Sequence, residues 1–226
     1  MSESAPLYLA STSPRRRALL AQLGVPFAAM AAPVDEEALT ATFTGPTIHL
    51  AEHLASAKAA AALDLALESA GGPARVLAGD TTVLLHGQAL GKPGDAAQAA
   101  AMLAALRARP HDVVTALALA SISANEAAAK VRSLAIRTRV TLRDYGDDEV
   151  AAYVASGDPF DKAGAYAIQH EAFHPVAAIS GCYPNVVGLP ICAAAALLGA
   201  RAPHAAQLRA CPWSEQCQPP LPALPR

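Results

Sequence analysis

Two long apolar segments in the middle of the chain constrain its fold more than any other feature. They read "DVVTALALASI" at residues 112–122 and "LAIRTRVTL" at residues 134–142. In the second segment, one set of alternate positions is mostly apolar, at Leu134, Ile136, Val140 and Leu142. This period of two is typical of a strand that buries one face. Because a polar loop separates the two segments, we predict a β-hairpin.

Before the hairpin, predicted strands and helices alternate. Residues 7–10 indicate a short buried strand, and Ser13 and Pro14 suit the start of a helix that ends at Gly24. The next elements are a helix over 46–68, a strand ending near Asp80, a second strand with a turn at His86–Gly87, and a helix over 96–108 capped by Asp95.

After the hairpin we predict a helix that begins at Asp147 or Asp148 and ends at Gly157. Residues 158–169 are expected to be a loop that becomes extended, and "NVVGLP" leads into a last helix. Alternating strands and helices with an added hairpin predict an α/β fold, with a mixed twisted sheet flanked by helices.

Composition sets the domain organisation. The chain has 226 residues and is 53% hydrophobic, with much alanine. This allows one large domain, or two small lobes around a shared core, with close packing of small side chains. We place this domain at residues 1–200. Residues 201–226 are rich in proline, so we expect a peripheral or disordered tail.

Charge and apolar run lengths exclude several classes of function. The net charge is −2 and aromatic residues make up only 4%, which disfavours a nucleic-acid-binding protein that uses the arginine cluster. Neither a signal peptide nor a run long enough to span a membrane is visible, so we expect a cytoplasmic protein. The four cysteines, at positions 182, 192, 211 and 217, lack metal-ligand spacing and are expected to be reduced.

The turn after the first strand is a candidate phosphate site. It reads "STSPRRR", with Ser11 and Ser13 as hydroxyl donors and Arg15 and Arg16 as forked cations. Helix N-termini bind anions, and arginines there would otherwise be electrostatically unfavourable. This makes a functional role a better explanation than a merely solvated helix start.

Further candidates are carboxylates and lysines outside this turn. Asp80 could hold Mg²⁺ or orient a water, or it could only cap a turn. Glu36 could be a second carboxylate that binds the metal, although Asp35 and Glu37 are equally possible candidates from the sequence. Lys92 could bind phosphate, or it could be an ordinary lysine in a surface turn. The Asp161–Lys162 pair could likewise be an ordinary ion pair on the surface. His111 is more typical of a structural histidine.

The set as a whole contains several cations, at least one carboxylate and no evident covalent nucleophile. Neither a Walker loop nor a nucleophile elbow is present. These groups suit metal-assisted attack of water on a phosphoanhydride.

Five segments carry recognisable motifs in order over about residues 7–198. They are "LASTSPRRRALLAQLGVPF", "AGDTTV", "LGKPGDAAQAAAML", "YVASGDPFDKAGAYAIQ" and "NVVGLP". Taken together, they resemble the Maf family of nucleoside triphosphate pyrophosphatases. The resemblance implies a fold with two lobes around a deep nucleotide-binding cleft. It also implies a divalent cation, Mg²⁺ or Mn²⁺, a homodimer, and hydrolysis of a nucleoside triphosphate to the monophosphate and pyrophosphate.

The resemblance also implies roles for individual residues. The catalytic set is Asp80, Lys92 and Glu36, and Asp80 and Glu36 also hold the metal. The substrate-binding set is Ser11, Arg15, Arg16, Lys58, Thr81, Asp161, Lys162 and Gln169.

The segment "DKAGAYAIQ" resembles the branch of the family that acts on dTTP and UTP, and the Gln169 amide matches the donor and acceptor edge of uracil or thymine. Ala167 and His170 stand where the family often has glycine, which bears on the geometry of this loop. The alternatives are a nucleotide-binding regulator of septum formation without catalysis, a 7-methyl-GTP pyrophosphatase, and an enzyme for modified pyrimidine nucleotides.

Overall fold

The computed structural model describes residues 5–122 and 128–200. Within these ranges the chain forms an open, seven-stranded mixed sheet flanked by helices, as the sequence predicts. The strands are Leu7–Ala10 (β1), Ala28–Met30 (β2), Ala74–Leu85 (β3), Gln88–Leu90 (β4), Pro110–Ile122 (β5), Lys130–Leu142 (β6) and Val176–Ser180 (β7). The helices are Pro14–Ala21 (α1), Glu36–Thr42 (α2), Leu50–Ala61 (α3), Leu63–Ala70 (α4), Ala96–Leu106 (α5), Asp147–Ala155 (α6), Tyr183–Val187 (α7) and Ile191–Leu198 (α8).

The sheet has the strand order β2-β1-β3-β5-β6-β7, and β4 pairs with β3. The strand β1 is parallel to β2 and β3, whereas the other pairs are antiparallel. The predicted hairpin is confirmed as β5–β6, and both of its strands are longer than predicted because they pair from Pro110–Thr141 to Ser121–Lys130. Residues 123–127 of its loop and the tail at 201–226 lie outside the described residues.

A gap in strand pairing lies at the centre of the sheet. The strand β1 ends at Ala10, which pairs with Ala78, and β4 pairs with β3 only from Val83 onward. Residues 79–82 of β3 therefore have no strand partner on this edge in the part of the chain described. The prediction that a strand ends near Asp80 was wrong, because β5 pairs with β3 continuously over residues 74–84. What ends beside Asp80 is the neighbouring strand.

The two faces of the sheet bury different side chains. One face is covered by α1, α7 and α8 and buries mainly leucines, among them Leu9, Leu77 and Leu117. The other face is covered by α3 and α4 and is rich in alanine. Because alanine is small, α3 can lie close to β3 and β5. This confirms the predicted packing by small side chains and brings α3 close to the gap in the sheet.

Several predicted element boundaries differ in the structure. The helix predicted over 46–68 is divided into α3 and α4 at Ala62. Residues 59–62 are all alanine, which favours a continuous helix, so the break could not be predicted. The helix α6 is capped at Gly146, not at Asp147 or Asp148, and the Gly146 N–H donates to Glu149 at 2.9 Å. Residues 158–169 contain two 3₁₀ turns instead of a loop and an extended segment. The elements β2, α2, α7 and β7 were not predicted.

No helix in residues 5–122 and 128–200 combines the length and apolar character that crossing a membrane requires.

His111 lies at the start of β5, where it is 2% exposed, and its Nε2 lies 2.7 Å from the Tyr166 hydroxyl. Burial lowers the pKa of His111 from 6.5 to about 4. The unfolded chain therefore takes up a proton near pH 6.5, whereas the folded protein does so only near pH 4. Stability from the neutral ring is present above pH 6.5 and is lost as the pH falls toward 4, by about 3 kcal/mol.

We expect the free energy of unfolding, measured with urea, to fall less between pH 7 and pH 4.5 in His111→Gln than in the original protein. The control is His86→Asn at the exposed turn between β3 and β4, which should keep the full decrease. An equal decrease in the His111 variant would contradict this account.

Candidate active site

The turn after β1 has the local structure that its sequence predicts. The Ser13 side chain caps α1 by accepting from the Arg16 N–H at 3.4 Å, and Pro14 is the first helical residue. Ser11 is buried, and its Oγ accepts from the Ser13 N–H at 3.2 Å. Because β1 stops at Ala10, this turn lies beside the gap in the sheet and directs Arg16 toward β3.

A buried lysine joins two carboxylates at the gap. Lys58 on α3 is only 5% exposed, and its Nζ lies 2.7 Å from Asp80 Oδ1 and 2.9 Å from Glu36 Oε2. The two carboxylate oxygens are therefore separated by no more than the sum of these distances. The third hydrogen of the ammonium group has no acceptor among the described residues, so it can still donate to a ligand.

The structure selects Glu36 among its acidic neighbours. Asp35 is used as the cap of α2, where its Oδ1 accepts from the Ala38 N–H at 2.9 Å. Glu37 is exposed, whereas Glu36 reaches Lys58. Partial burial opposes the ionisation of Glu36, but Lys58, with smaller contributions from Lys92 and Arg16, lowers its pKa below the ordinary value. Glu36 therefore carries a negative charge at neutral pH.

Arg16 occupies a slot on the opposite face of β3. Its Nε donates to the Gly188 carbonyl at 2.8 Å, and its Nη2 donates to Thr81 Oγ1 at 3.1 Å. A Cβ on Gly79 would lie 3.5 Å from Arg16 Nε and only 2.9 Å from a Leu117 methyl group. Burial lowers the pKa of the guanidinium, although Asp80 and Glu36 oppose this shift. The slot thus holds a partly buried guanidinium whose charge interacts with the Asp80 and Glu36 carboxylates.

Consecutive residues of β3 give the site two sides. Asp80 faces α3 and Lys58, and Thr81 faces Arg16 and α7, because successive side chains of a strand point to opposite faces. Both side chains lie within residues 79–82, which have no strand partner on one edge among the residues that the structure describes. A ligand at this edge can therefore contact the carboxylate side and the guanidinium side together.

Asp161 and Lys162 form a separate ionic group. The Lys162 Nζ lies 2.6 Å from the Asp158 carbonyl, 3.0 Å from Asp158 Oδ1 and 2.6 Å from Asp161 Oδ1. Asp161 also accepts from Arg15 at 3.3 Å, so Arg15 is tied to this loop. Since an ammonium has three hydrogens, Lys162 has none left for a phosphate in this arrangement. Its predicted phosphate contact requires one of these bonds to be exchanged.

Lys92 and Gln169 are exposed, and neither has a hydrogen-bond partner within the described ranges. Lys92 is nevertheless close enough to lower the pKa of Glu36. The loop that carries Gln169 is anchored, because the Ala167 N–H donates to the Tyr153 hydroxyl at 3.0 Å and His170 Nδ1 accepts from the Phe173 N–H at 3.0 Å. Neither Ala167 nor His170 has a positive φ, so the glycines usual there are not needed for this backbone.

A family model described as "Maf-like protein" matches residues 6–201. The chain belongs to the Maf-like family. Relatives cover most of its length. It is 47% identical to a protein of Burkholderia thailandensis over 88% of this chain and 94% of the relative. It is 44% identical to one of Citrifermentans bemidjiense, over 82% and 90%, and 42% identical to one of Geotalea uraniireducens, over 85% and 93%. All three relatives are named dTTP/UTP pyrophosphatase. The resemblance inferred from the sequence motifs is confirmed.

Several residues of this Maf-like site were missed by the sequence reasoning. Asn185 and Thr115 are fully buried polar residues behind Arg16, Gly188 supplies a carbonyl to Arg16, and Asp158 and Tyr153 hold the loop of Lys162. The segment "NVVGLP" contained the only available signal, an asparagine before an apolar stretch interrupted by glycine and proline. That pattern does not tell where the amide points.

The side chains at the gap fit a divalent cation that is completed by its substrate. In the residues described, no group of three or more histidine, cysteine or acidic side chains is placed to hold a metal by itself. Mg²⁺ commonly takes one or two protein carboxylates and obtains its remaining ligands from water and substrate phosphates. Asp80 and Glu36 provide such a pair, and Asp80 Oδ2 has no partner in the described part of the chain.

Proposed function

We propose that this Maf-like protein is a nucleoside triphosphate pyrophosphatase that hydrolyses dTTP and UTP to the monophosphate and pyrophosphate. The names of relatives at 42–47% identity support this activity. The observation that carries it is the pair of carboxylates, Asp80 and Glu36, held by buried Lys58 next to Arg16 in the gap of the sheet. Anions and cations so arranged can bind a triphosphate and orient a water.

In the proposed mechanism, Asp80 accepts a proton from the attacking water through Oδ2 while Lys58 holds Oδ1 at 2.7 Å. The water attacks the α-phosphorus, and pyrophosphate leaves. Arg16, Lys58 and Lys92 neutralise phosphate oxygens, and Lys162 joins them once it exchanges a bond to Asp158 or Asp161. Ser11 adds a hydroxyl beside the N-terminus of α1.

A divalent cation, Mg²⁺ or Mn²⁺, would be held by Asp80 and Glu36, and it would supply charge neutralisation for the triphosphate. We propose base contacts for Arg15, Thr81 and Gln169, with Asp161 holding Arg15 at 3.3 Å. The division into one domain at 1–200 and a tail at 201–226, the two lobes around a cleft and the homodimer stay predictions.

The test is pyrophosphate release with Mg²⁺ from a panel of dTTP, UTP, CTP, GTP, 7-methyl-GTP and 5-methyl-UTP. Release that favours dTTP and UTP supports the proposal, and equal or better use of 5-methyl-UTP would extend it to modified pyrimidines. Release confined to 7-methyl-GTP would show that 7-methyl-GTP, and not dTTP or UTP, is the substrate. Nucleotide binding without release from any member would favour a regulator of septum formation over an enzyme.

Replacing Gln169 with alanine is expected to raise KM for UTP by about tenfold, because an exposed amide that pairs with the base edge would be lost. The apparent affinity for Mg²⁺ should stay unchanged, since no hydrogen bond joins Gln169 to Asp80 or Glu36 in the part of the chain that the structure describes. Initial rates at varied UTP and varied Mg²⁺ measure both quantities. The control is Glu171→Gln on the same loop. Equal losses for all nucleotides would argue against base recognition by Gln169.

A further inference from the structure

Behind Arg16, a continuous chain of hydrogen bonds crosses β3, β5 and α7. Arg16 Nη2 lies 3.1 Å from Thr81 Oγ1, which lies 2.9 Å from Thr115 Oγ1. Thr115 Oγ1 lies 2.7 Å from the Asn185 carbonyl oxygen. The Asn185 side chain also holds the backbone of Thr115, because its Oδ1 accepts from the Thr115 N–H at 3.0 Å.

The direction of each bond in this chain follows from the chemistry of its ends. Arg16 can only donate, and the Asn185 carbonyl can only accept. Thr115 must therefore give its single hydroxyl hydrogen to Asn185, so in the contact with Thr81 it is the acceptor. Thr81 in turn gives its hydrogen to Thr115 and accepts from Arg16. Given these contacts among the described residues, one lone pair of Thr81 Oγ1 is left to accept from a ligand.

The hydrogen bonds of Thr115 and Asn185 explain how these polar side chains can be buried. Thr115 and Asn185 are both 0% exposed, and burying them without partners would be unfavourable. Asn185 satisfies its amide by donating to the Val113 carbonyl at 3.0 Å and to Thr138 Oγ1 at 2.9 Å. Thr138 is equally buried but lies on β6, on the far side of Asn185 from Thr81. Its hydroxyl bonds to the Asn185 amide and to the Cys182 backbone, whereas the chain from Thr115 to Thr81 runs through the Asn185 backbone carbonyl. Thr138→Val is therefore a control for the loss of a buried hydroxyl that lies outside this chain.

We propose that Thr115 and Asn185 are positioning residues of the active site, which fix the Thr81 hydroxyl so that it faces the substrate as an acceptor beside the Arg16 donor. This inference rests on the proposed function. Because Thr81 and Arg16 lie on the opposite face of β3 from Asp80, the hydrogen-bond chain acts on binding of the nucleotide. It does not act on the water that Asp80 orients.

The first experiment measures KM and kcat for UTP in Thr115→Val, Thr115→Ser and Thr138→Val. Valine has the shape of threonine without its hydroxyl, so Thr115→Val should raise KM by about tenfold, the effect of one lost hydrogen bond, and change kcat less than about twofold. Thr115→Ser keeps the hydroxyl and should restore KM to within about twofold. Thr138→Val should leave KM within the same range. Similar KM values in the Thr115 and Thr138 valine variants, or a fall in kcat alone, would overturn the proposal.

The second experiment is a double-mutant cycle with Thr81→Val. If Thr115 acts through the Thr81 hydroxyl, Thr115→Val should add no further increase in KM when Thr81 is already valine. Independent, multiplying increases would overturn the proposal. Thermal unfolding shows whether each variant is folded. If Thr115→Val does not fold, Thr115→Ala takes its place in the cycle. If the protein without substitutions releases no pyrophosphate, the proposed function itself is contradicted. If that protein is active but the Thr115 variants have the same KM for UTP, only this inference is contradicted.

Discussion

Replacing Asp80 with asparagine is expected to lower kcat for UTP by about a thousandfold or more, to a level without measurable turnover. The amide keeps the shape of the carboxylate, and its oxygen can still accept from Lys58, but it cannot take a proton from water. Since Lys58 keeps Glu36 as an ionic partner at 2.9 Å, the fold should stay intact. Pyrophosphate release under saturating UTP and Mg²⁺ measures the loss, and circular dichroism verifies the fold.

The control for Asp80→Asn is Asp147→Asn, at the first residue of α6, where the carboxylate is 91% exposed and pairs with Arg107. That variant should keep its activity, because surface ion pairs contribute little and this one lies outside the site. Near-normal turnover in Asp80→Asn would refute the assignment of Asp80 as the group that orients the water.

Replacing Lys58 with methionine is expected to lower both stability and activity. The side chain of Lys58 is 7% exposed and that of Asp80 is 11% exposed, so methionine would leave a buried carboxylate without its cation. Removing one partner of a buried pair costs about 3 kcal/mol of unfolding free energy or more. Turnover should fall by about a hundredfold, because Asp80 and Glu36 lose the group that holds them together. Urea unfolding and pyrophosphate release measure the two effects.

Two comparisons test the cause of this loss. In the Asp80→Asn background, Lys58→Met should cost less stability, because the buried partner is then neutral. Lys92→Met removes an exposed lysine and should leave the unfolding free energy within about 0.5 kcal/mol. Full stability in Lys58→Met would show that the contacts with Asp80 and Glu36 contribute nothing to the fold.

The pH dependence of the Lys58→Met effect has a definite sign. Lys58 lowers the pKa of Glu36 below its ordinary value of 4.5. A lowered pKa contributes stability above the unfolded value, and this contribution is lost as the pH falls through the folded value. The part of the stability difference that comes from Glu36 should therefore be full at pH 7 and decrease below about pH 4.5.

Local chemistry explains what could be predicted at the site. Ser13 caps α1 and Pro14 opens it, as expected, because capping depends on residues three positions apart. Asp80 provides the contrasting case. The sequence indicated a strand end there, but β3 continues, since pairing with β5 and the end of β1 at Ala10 are not encoded near Asp80. The choice of Glu36 over Asp35 and Glu37 likewise needed the position of Lys58.

The α/β class, the long hairpin and the membership of the Maf-like family could be predicted from the residues alone, because periodicity, capping and short motifs are properties of neighbouring residues. Which side chains meet at the site depends instead on contacts between residues that are far apart in the chain. Lys58 and Asp80 are 22 positions apart, and Arg16 and Gly188 are 172 apart. The gap in the sheet, the saturated ammonium of Lys162 and the hydrogen-bond chain through Thr115 to Asn185 also depend on such distant contacts. Their geometry is set by how strands and helices pack, and that packing has no local signature in the chain.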